Sequence, residues 1–324
     1  MSAPPRVHLL TDAGMAAHGI TGHPERPERL AAVIEGVEIA VARSGALLDR
    51  PVVKPVDDEL LGQVHAADHV AALDALAGSG GGWIDADTHV ARGSMAAARL
   101  AAGATAQAAL AVARGEADVA FAAVRPPGHH ASAERAAGFC LLNNVAIAVA
   151  ALRRAGLAQR VAILDWDVHH GDGTQAIFDA DPDLGYASTH QALLYPGTGH
   201  PDERGAGPAH GTMHNVPLRP GSGDGAFVSA WTERLLPWVE AFRPEALLVS
   251  AGYDAHADDP LASLEVSAAG YGAVARGVGA LARRLGLPGV ALTLEGGYDL
   301  GALRESATAT VRGLLEGMAK APAG

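Results

Sequence analysis

Four short apolar runs in this chain, at 119–124, 161–164, 246–250 and 290–294, each end in a cluster of polar residues and glycine. Their continuations read RPPGHH, DWDVHHGDG, AGYDAH and EGGYDL. Further apolar runs at 7–10 and 184–188 complete a set of candidate strands. The runs are nearly continuous rather than alternating, as in strands buried on both faces. Between them lie stretches of helical character near 27–43, 94–114, 144–155, 224–242, 267–285 and 300–315. Strands alternating with helices predict an α/β fold, with a mostly parallel sheet covered on both faces. In such sheets the ligand crevice lies beyond the carboxyl ends of the strands. Four clusters at that edge therefore point to one site assembled from four strand tips.

The remaining composition narrows what that site serves. The chain has 324 residues, 49% of them hydrophobic but only 4% aromatic, so its core is built from small and aliphatic side chains. No linker splits it, and one domain over 1–324 is expected; the glycine runs at 78–82 and 221–225 read as surface loops. A formal charge of −12 and the lack of a basic run argue against nucleic acid as a partner. The one cysteine, Cys140, excludes an internal disulfide; it reads as buried packing. The N-terminus MSAPPRVHLLTDAG lacks signal-peptide character, and no uninterrupted apolar segment of membrane-spanning length is expected. A reducing, cytoplasmic setting without a membrane partner follows as the expectation.

Asp167 and His169 stand two apart, so in extended backbone they point to the same side. Together with a third ligand from another tip, for which Asp254 is the natural choice, they make a three-ligand site that leaves room for water, as catalytic zinc requires. The alternative is a buried hydrogen-bonded pair. His129 and His130, after a Pro-Pro-Gly turn, read as general acid and base if a carboxylate stands behind each; Asp165 and Asp172 are the free acids. The alternative is a solvated turn. Tyr298, after Glu-Gly-Gly, is either an oxyanion donor or a surface tyrosine, and His170 is read as structural.

These pieces, with HPERPER at 23–29, GFCLLNN at 138–144 and YPGTG at 195–199, resemble the histone deacetylase family, including bacterial deacetylase-like amidohydrolases and acetylpolyamine amidohydrolases. The resemblance implies a three-layer α/β/α domain of the arginase/deacetylase type. It implies one zinc, with iron(II) the alternative in the cell, on Asp167, His169 and Asp254. Asp165 and Asp172 become the partners of His129 and His130, with His130 as the base and Tyr298 as the oxyanion donor. Gly138, Phe139 and Tyr195 become tunnel walls, Leu261 a rim residue, and Arg26 the arginine of an inner cavity. A structural potassium on Asp165, Asp167, His169, Ser188 and Thr189 is implied too. Asp87 is a candidate for holding substrate backbone at the rim. The implied substrate is an acyl-lysine peptide or protein, or an acetylated polyamine; the alanine-rich composition points to a bacterial source, and an oligomer is compatible. The alternatives are an arginase-like enzyme with two manganese ions and a non-catalytic binder of acylated ligands.

Overall fold

The computed structural model describes residues 3–319, so the outermost residues of the expected 1–324 domain lie outside the described part. Ten strands form in chain order: β1 (Arg6–Leu10), β2 (Leu47–Asp49), β3 (Gly81–Trp83), β4 (His89–Ala91), β5 (Val119–Ala122), β6 (Val161–Asp165), β7 (Leu184–Gln191), β8 (Met213–Leu218), β9 (Ala246–Ala251) and β10 (Val290–Leu294). Eight of them make one sheet in the order β2-β1-β5-β10-β9-β6-β7-β8, with every neighbouring pair parallel. β3 and β4 form a separate antiparallel hairpin.

That order places the four strands with polar tips, β5, β10, β9 and β6, side by side at the centre. Their register keeps the tips level: Asp165 pairs with Ser250, Leu294 with Ala251 and Thr293 with Ala122. All four strands are almost wholly buried. The polar clusters therefore converge without any long loop having to carry them.

Among the described residues ten α-helices accompany the sheet: α1 (Glu28–Ser44), α2 (Asp58–Leu61), α3 (Ala67–Gly78), α4 (Ser94–Ala113), α5 (Asn144–Arg154), α6 (Asp172–Phe178), α7 (Asp224–Ser229), α8 (Leu236–Phe242), α9 (Ala268–Leu285) and α10 (Leu300–Met318). On one side α10 packs between α1 and α9; α4 and α5 pack together in the other helical layer, as the α/β/α expectation requires. α4 is interrupted by Arg99 and Gln107, yet its length and mean apolarity match those of a membrane-crossing helix. Most of it is buried, against β1, β5, β10 and α5, so its alanines serve tight packing within the fold.

The expected helix over 224–242 is present but not regular, since a π-helical stretch, Ala230–Leu235, separates α7 from α8. Pro237 explains the change, as a proline inside a helix lacks the N–H for the regular bond and crowds the preceding turn. Sequence patterning missed α3, a full twelve residues long, and otherwise elements that are short or at edges. β2 is three residues long, β8 (MHNVPL) ends the sheet and carries a proline, and the glycines at 81 and 82 lie in β3 rather than in a loop.

Candidate active site

Beyond β5, Arg125 is fully buried; its guanidinium binds the Glu25 carboxylate at 2.6 Å and the Met15 carbonyl at 3.0 Å. The following turn is tied to β10, because Glu295 Oε2 accepts the N–H groups of Gly128 (2.7 Å) and His129 (3.2 Å). The two histidines thus leave a fixed turn. His129 Nδ1 lies 3.0 Å from Asp165 Oδ2, and His130 Nδ1 lies 2.8 Å from Asp172 Oδ1. A donor Nδ1–H in each leaves Nε2 as the working nitrogen.

The two rings differ electrostatically. Burial opposes charge on His129, but the carboxylates of Asp167 and Asp165 outweigh it and raise its pKa well above the usual imidazole value. Burial and the neighbouring His129 charge push His130 down to about 3, more than Asp172 can offset. The two imidazoles are thus shifted in opposite directions, the division expected of an acid and a base.

Asp167 and His169 follow β6, and Asp254 follows β9. One ligand atom from each lies within 4.8 Å of the others. His169 Nδ1 is 3.2 Å from both Asp167 Oδ1 and Asp254 Oδ2. Both aspartates are buried, and Asp254 Oδ2 has no hydrogen-bond donor. Despite burial, the two carboxylates raise the His169 pKa to about 10. Two carboxylates, one imidazole and an orphaned buried oxygen fit a divalent cation of zinc type. Gly296 N–H donates to Asp167 Oδ2 at 2.7 Å, fixing the other side of that carboxylate. A Cβ at Gly296 would collide with the Asp254 carboxylate, so this position requires glycine.

A cavity of about 260 Å³ opens over these groups, lined by His129, His130, Asp167, His169 and Tyr298 at its chemical end. Gly138, Phe139, Leu194, Tyr195, Leu261 and Asp87 line it as well. The Tyr195 ring packs edge-on against His130, with centroids 5.1 Å apart, and Phe139 packs edge-on against Tyr298 at 5.8 Å. Phe139 has φ 67°, a left-handed conformation rare for a bulky residue. A bond from its N–H to Thr88 Oγ1 (3.2 Å) and the His23 ring, 4.6 Å away, hold it there. Asp85, by contrast, is a turn acid that accepts the N–H groups of Asp87 and Thr88.

Tyr298 is buried, with the Arg29 guanidinium 4.9 Å from its ring centroid. Burial pushes its hydroxyl well above the usual phenol value, which Arg29 opposes only in part, so it stays a proton donor. Here the sequence expectation is corrected. Arg26 is exposed and lines a separate open cleft of about 640 Å³ that also touches Tyr298. The arginine of this segment that turns into the protein is Arg29, whose Nε donates to the Gly297 carbonyl at 2.6 Å and whose Nη2 donates to that of Glu295. The available signal was an acid four residues before Arg29: Glu25, just ahead of α1, pairs with it inside the protein. Glu295 was likewise visible in EGGYDL but had been given no role.

The remaining candidates are placed plainly. His170 is structural, bonded to Thr198 Oγ1 (2.8 Å) and Gln175 Oε1 (3.0 Å). Cys140 is buried, and burial pushes its thiol well up. Ser188 sits beside Asp165 in the sheet with its hydroxyl 3.0 Å from His190, while Thr189 Oγ1 accepts the Trp231 indole N–H. Their hydroxyls being engaged, a potassium at 165, 167, 169, 188 and 189 would draw largely on main-chain oxygens.

Comparison with known proteins gives concordant results. Residues 23–314 match the family model of the histone deacetylase domain. The chain is 44% identical over 284 residues to a probable deacetylase of Archaeoglobus fulgidus, covering 87% of this chain and 78% of that one. Among solved structures it is similar to the HDA15 HD domain, with TM-score 0.89 and 37% identity over 97% of this chain and 89% of that one. It is also similar to an acetylpolyamine aminohydrolase of Burkholderia pseudomallei, with TM-score 0.85 and 30% identity over 95% and 98% of the two chains.

Proposed function

The chain belongs to the histone deacetylase family, and from that premise we propose that it is a zinc-dependent amidohydrolase releasing acetyl or other acyl groups from acyl-lysine or from acetylated polyamines and small amines. The observation that carries this reading is the meeting of Asp167, His169 and Asp254 with two His–Asp pairs and Tyr298 in one narrow cavity. When bound at those three ligands, zinc supplies Lewis acidity and makes water acidic enough to act as a nucleophile near neutral pH. His130, oriented by Asp172, takes the proton of the attacking water through Nε2. His129, held charged by its carboxylates, supports the developing negative charge and provides a proton for the leaving amine. The Tyr298 hydroxyl donates to the oxygen that becomes the oxyanion. Gly138, Phe139, Tyr195 and Leu261 hold the extended acyl-bearing chain, and Asp87 is placed to hold the substrate at the mouth.

Asp165 and Asp172 are engaged by histidines, which leaves neither free to bridge a pair of manganese ions. Metal analysis separates the cases: one zinc per chain supports this reading, two manganese the other. The decisive experiment is free-amine release from acetyl-lysine peptides, longer acyl-lysines and acetylated putrescine, cadaverine and spermidine, each with and without chelator. Chelator-sensitive turnover is the expected result; silence across a zinc-replete panel sinks the proposal and favours a binding role.

A further inference from the structure

One buried carboxylate beside the cavity has no part in the chemistry above. Asp259 is 7% exposed and lies five residues beyond Asp254, where the chain turns toward the cavity wall. Its Oδ2 accepts the N–H groups of Tyr298 at 2.6 Å and Asp299 at 3.3 Å, and its Oδ1 accepts that of Leu261 at 3.1 Å. Tyr298 and Leu261 both line the cavity. One carboxylate thus ties a wall residue to the backbone of the phenol.

Tyr298 needs such a tie. It follows Gly296 and Gly297, the second at φ +113°, a conformation that leaves the chain little intrinsic preference. Its hydroxyl makes no hydrogen bond among the described residues, so its position is set through its backbone and through ring contacts with Phe139 and Arg29. A carboxylate accepts at both oxygens. An asparagine accepts at one and presents N–H donors at the other, so it must lose either the Tyr298 side or the Leu261 side.

We propose that Asp259 is a positioning residue that places the Tyr298 hydroxyl for oxyanion stabilisation and couples that placement to the Leu261 wall. This rests on the reading of Tyr298 as the oxyanion donor. A displacement of about 1 Å can remove about a hundredfold in rate, so the tie has room to matter without touching substrate.

The test is a double-mutant cycle of Asp259→Asn with Tyr298→Phe, assayed on acetyl-lysine peptide and on N-acetylputrescine, together with amide hydrogen exchange. Asp259→Asn is expected to lower kcat about ten- to hundredfold with KM little changed. In the Tyr298→Phe background the same change should cost about twofold or less, since the group it acts through is gone. The amide of Tyr298 or that of Leu261, whichever the asparagine releases, should exchange faster in Asp259→Asn while those of β10 hold. Wild-type kcat in Asp259→Asn, or an equal loss in both backgrounds, overturns the inference. If Asp259→Asn does not fold, Asp259→Glu replaces it: the acceptors remain, one methylene displaces the tie, and the same non-additive loss is required. A wild-type protein silent on both substrates refutes the functional reading instead, and unchanged exchange at Tyr298 and Leu261 then overturns the tie independently.

Discussion

Glu25 has no solvent exposure and faces Arg125 at 2.6 Å, Arg29 at 3.2 Å and His18 at 3.4 Å. Burial pushes its carboxyl upward, but hydrogen bonds and charge from His18 and Arg125 prevail and hold it well below the ordinary glutamate range. Glu25→Gln strands two buried guanidinium groups and should destabilise the fold by about 3–5 kcal/mol. The sign with pH follows from the depressed value. The contribution is full above about pH 4.3 and is lost as pH falls below it toward the folded-state value. Urea denaturation of wild type and Glu25→Gln at several pH values should show the gap narrowing only on the acid side. Tyr298→Phe is a change of function and not of folding: kcat should fall about a hundred- to thousandfold, with an unaltered circular dichroism spectrum. At this scale the sequence disclosed ligands and partners when they sit close together, as in residues 165–172. It concealed ties such as Glu295 to His129, 166 residues apart, because strand order chooses those partners. Arg29 went unnoticed beside Arg26 for the same reason, since only its bonds to the Glu295 and Gly297 carbonyls, far away in sequence, show which arginine turns inward.

The helices meet through glycine. Along the α9–α10 contact, a Cβ at Gly313 would strike the Gly272 carbonyl, one at Gly279 that of Leu314, and one at Gly317 that of Arg276. Alanine is the better helix former by about 1 kcal/mol, yet at a backbone-to-backbone contact overpacking costs about 1–3 kcal/mol. Gly313→Ala should therefore lower the denaturation midpoint, whereas helix propensity alone would raise it. Central elements were legible because buried strands and long helices write their pattern in apolar spacing. β2, β8 and the β3–β4 hairpin were not, since short or edge strands carry polar, proline and glycine residues that weaken it.

Taken whole, the molecule concentrates buried acid at one point, and a cation bound there would be a folding ligand. Chelation should lower the unfolding midpoint of purified protein, and zinc should restore it by about 2.7 kcal/mol at a hundredfold excess over its dissociation constant. Asp254→Asn should abolish most of that zinc-dependent shift in a thermal melt, whatever the substrate proves to be. The overall architecture was readable from strand–helix alternation, but the adjacency of β5, β10, β9 and β6 was not, because parallel strands need not follow chain order. That adjacency also bears on how the protein is made. β10, the last strand of the sheet to be synthesised, belongs in its middle, between β5 and β9. While the ribosome completes that stretch, the strands of β2-β1-β5 and β9-β6-β7-β8 are already made, but the inner edges of β5 and β9 still lack the neighbour that joins them. At about 5–20 residues per second, the segment from Gly252 to Leu294 takes several seconds, during which those edges are open to chaperones and to one another in crowded polysomes.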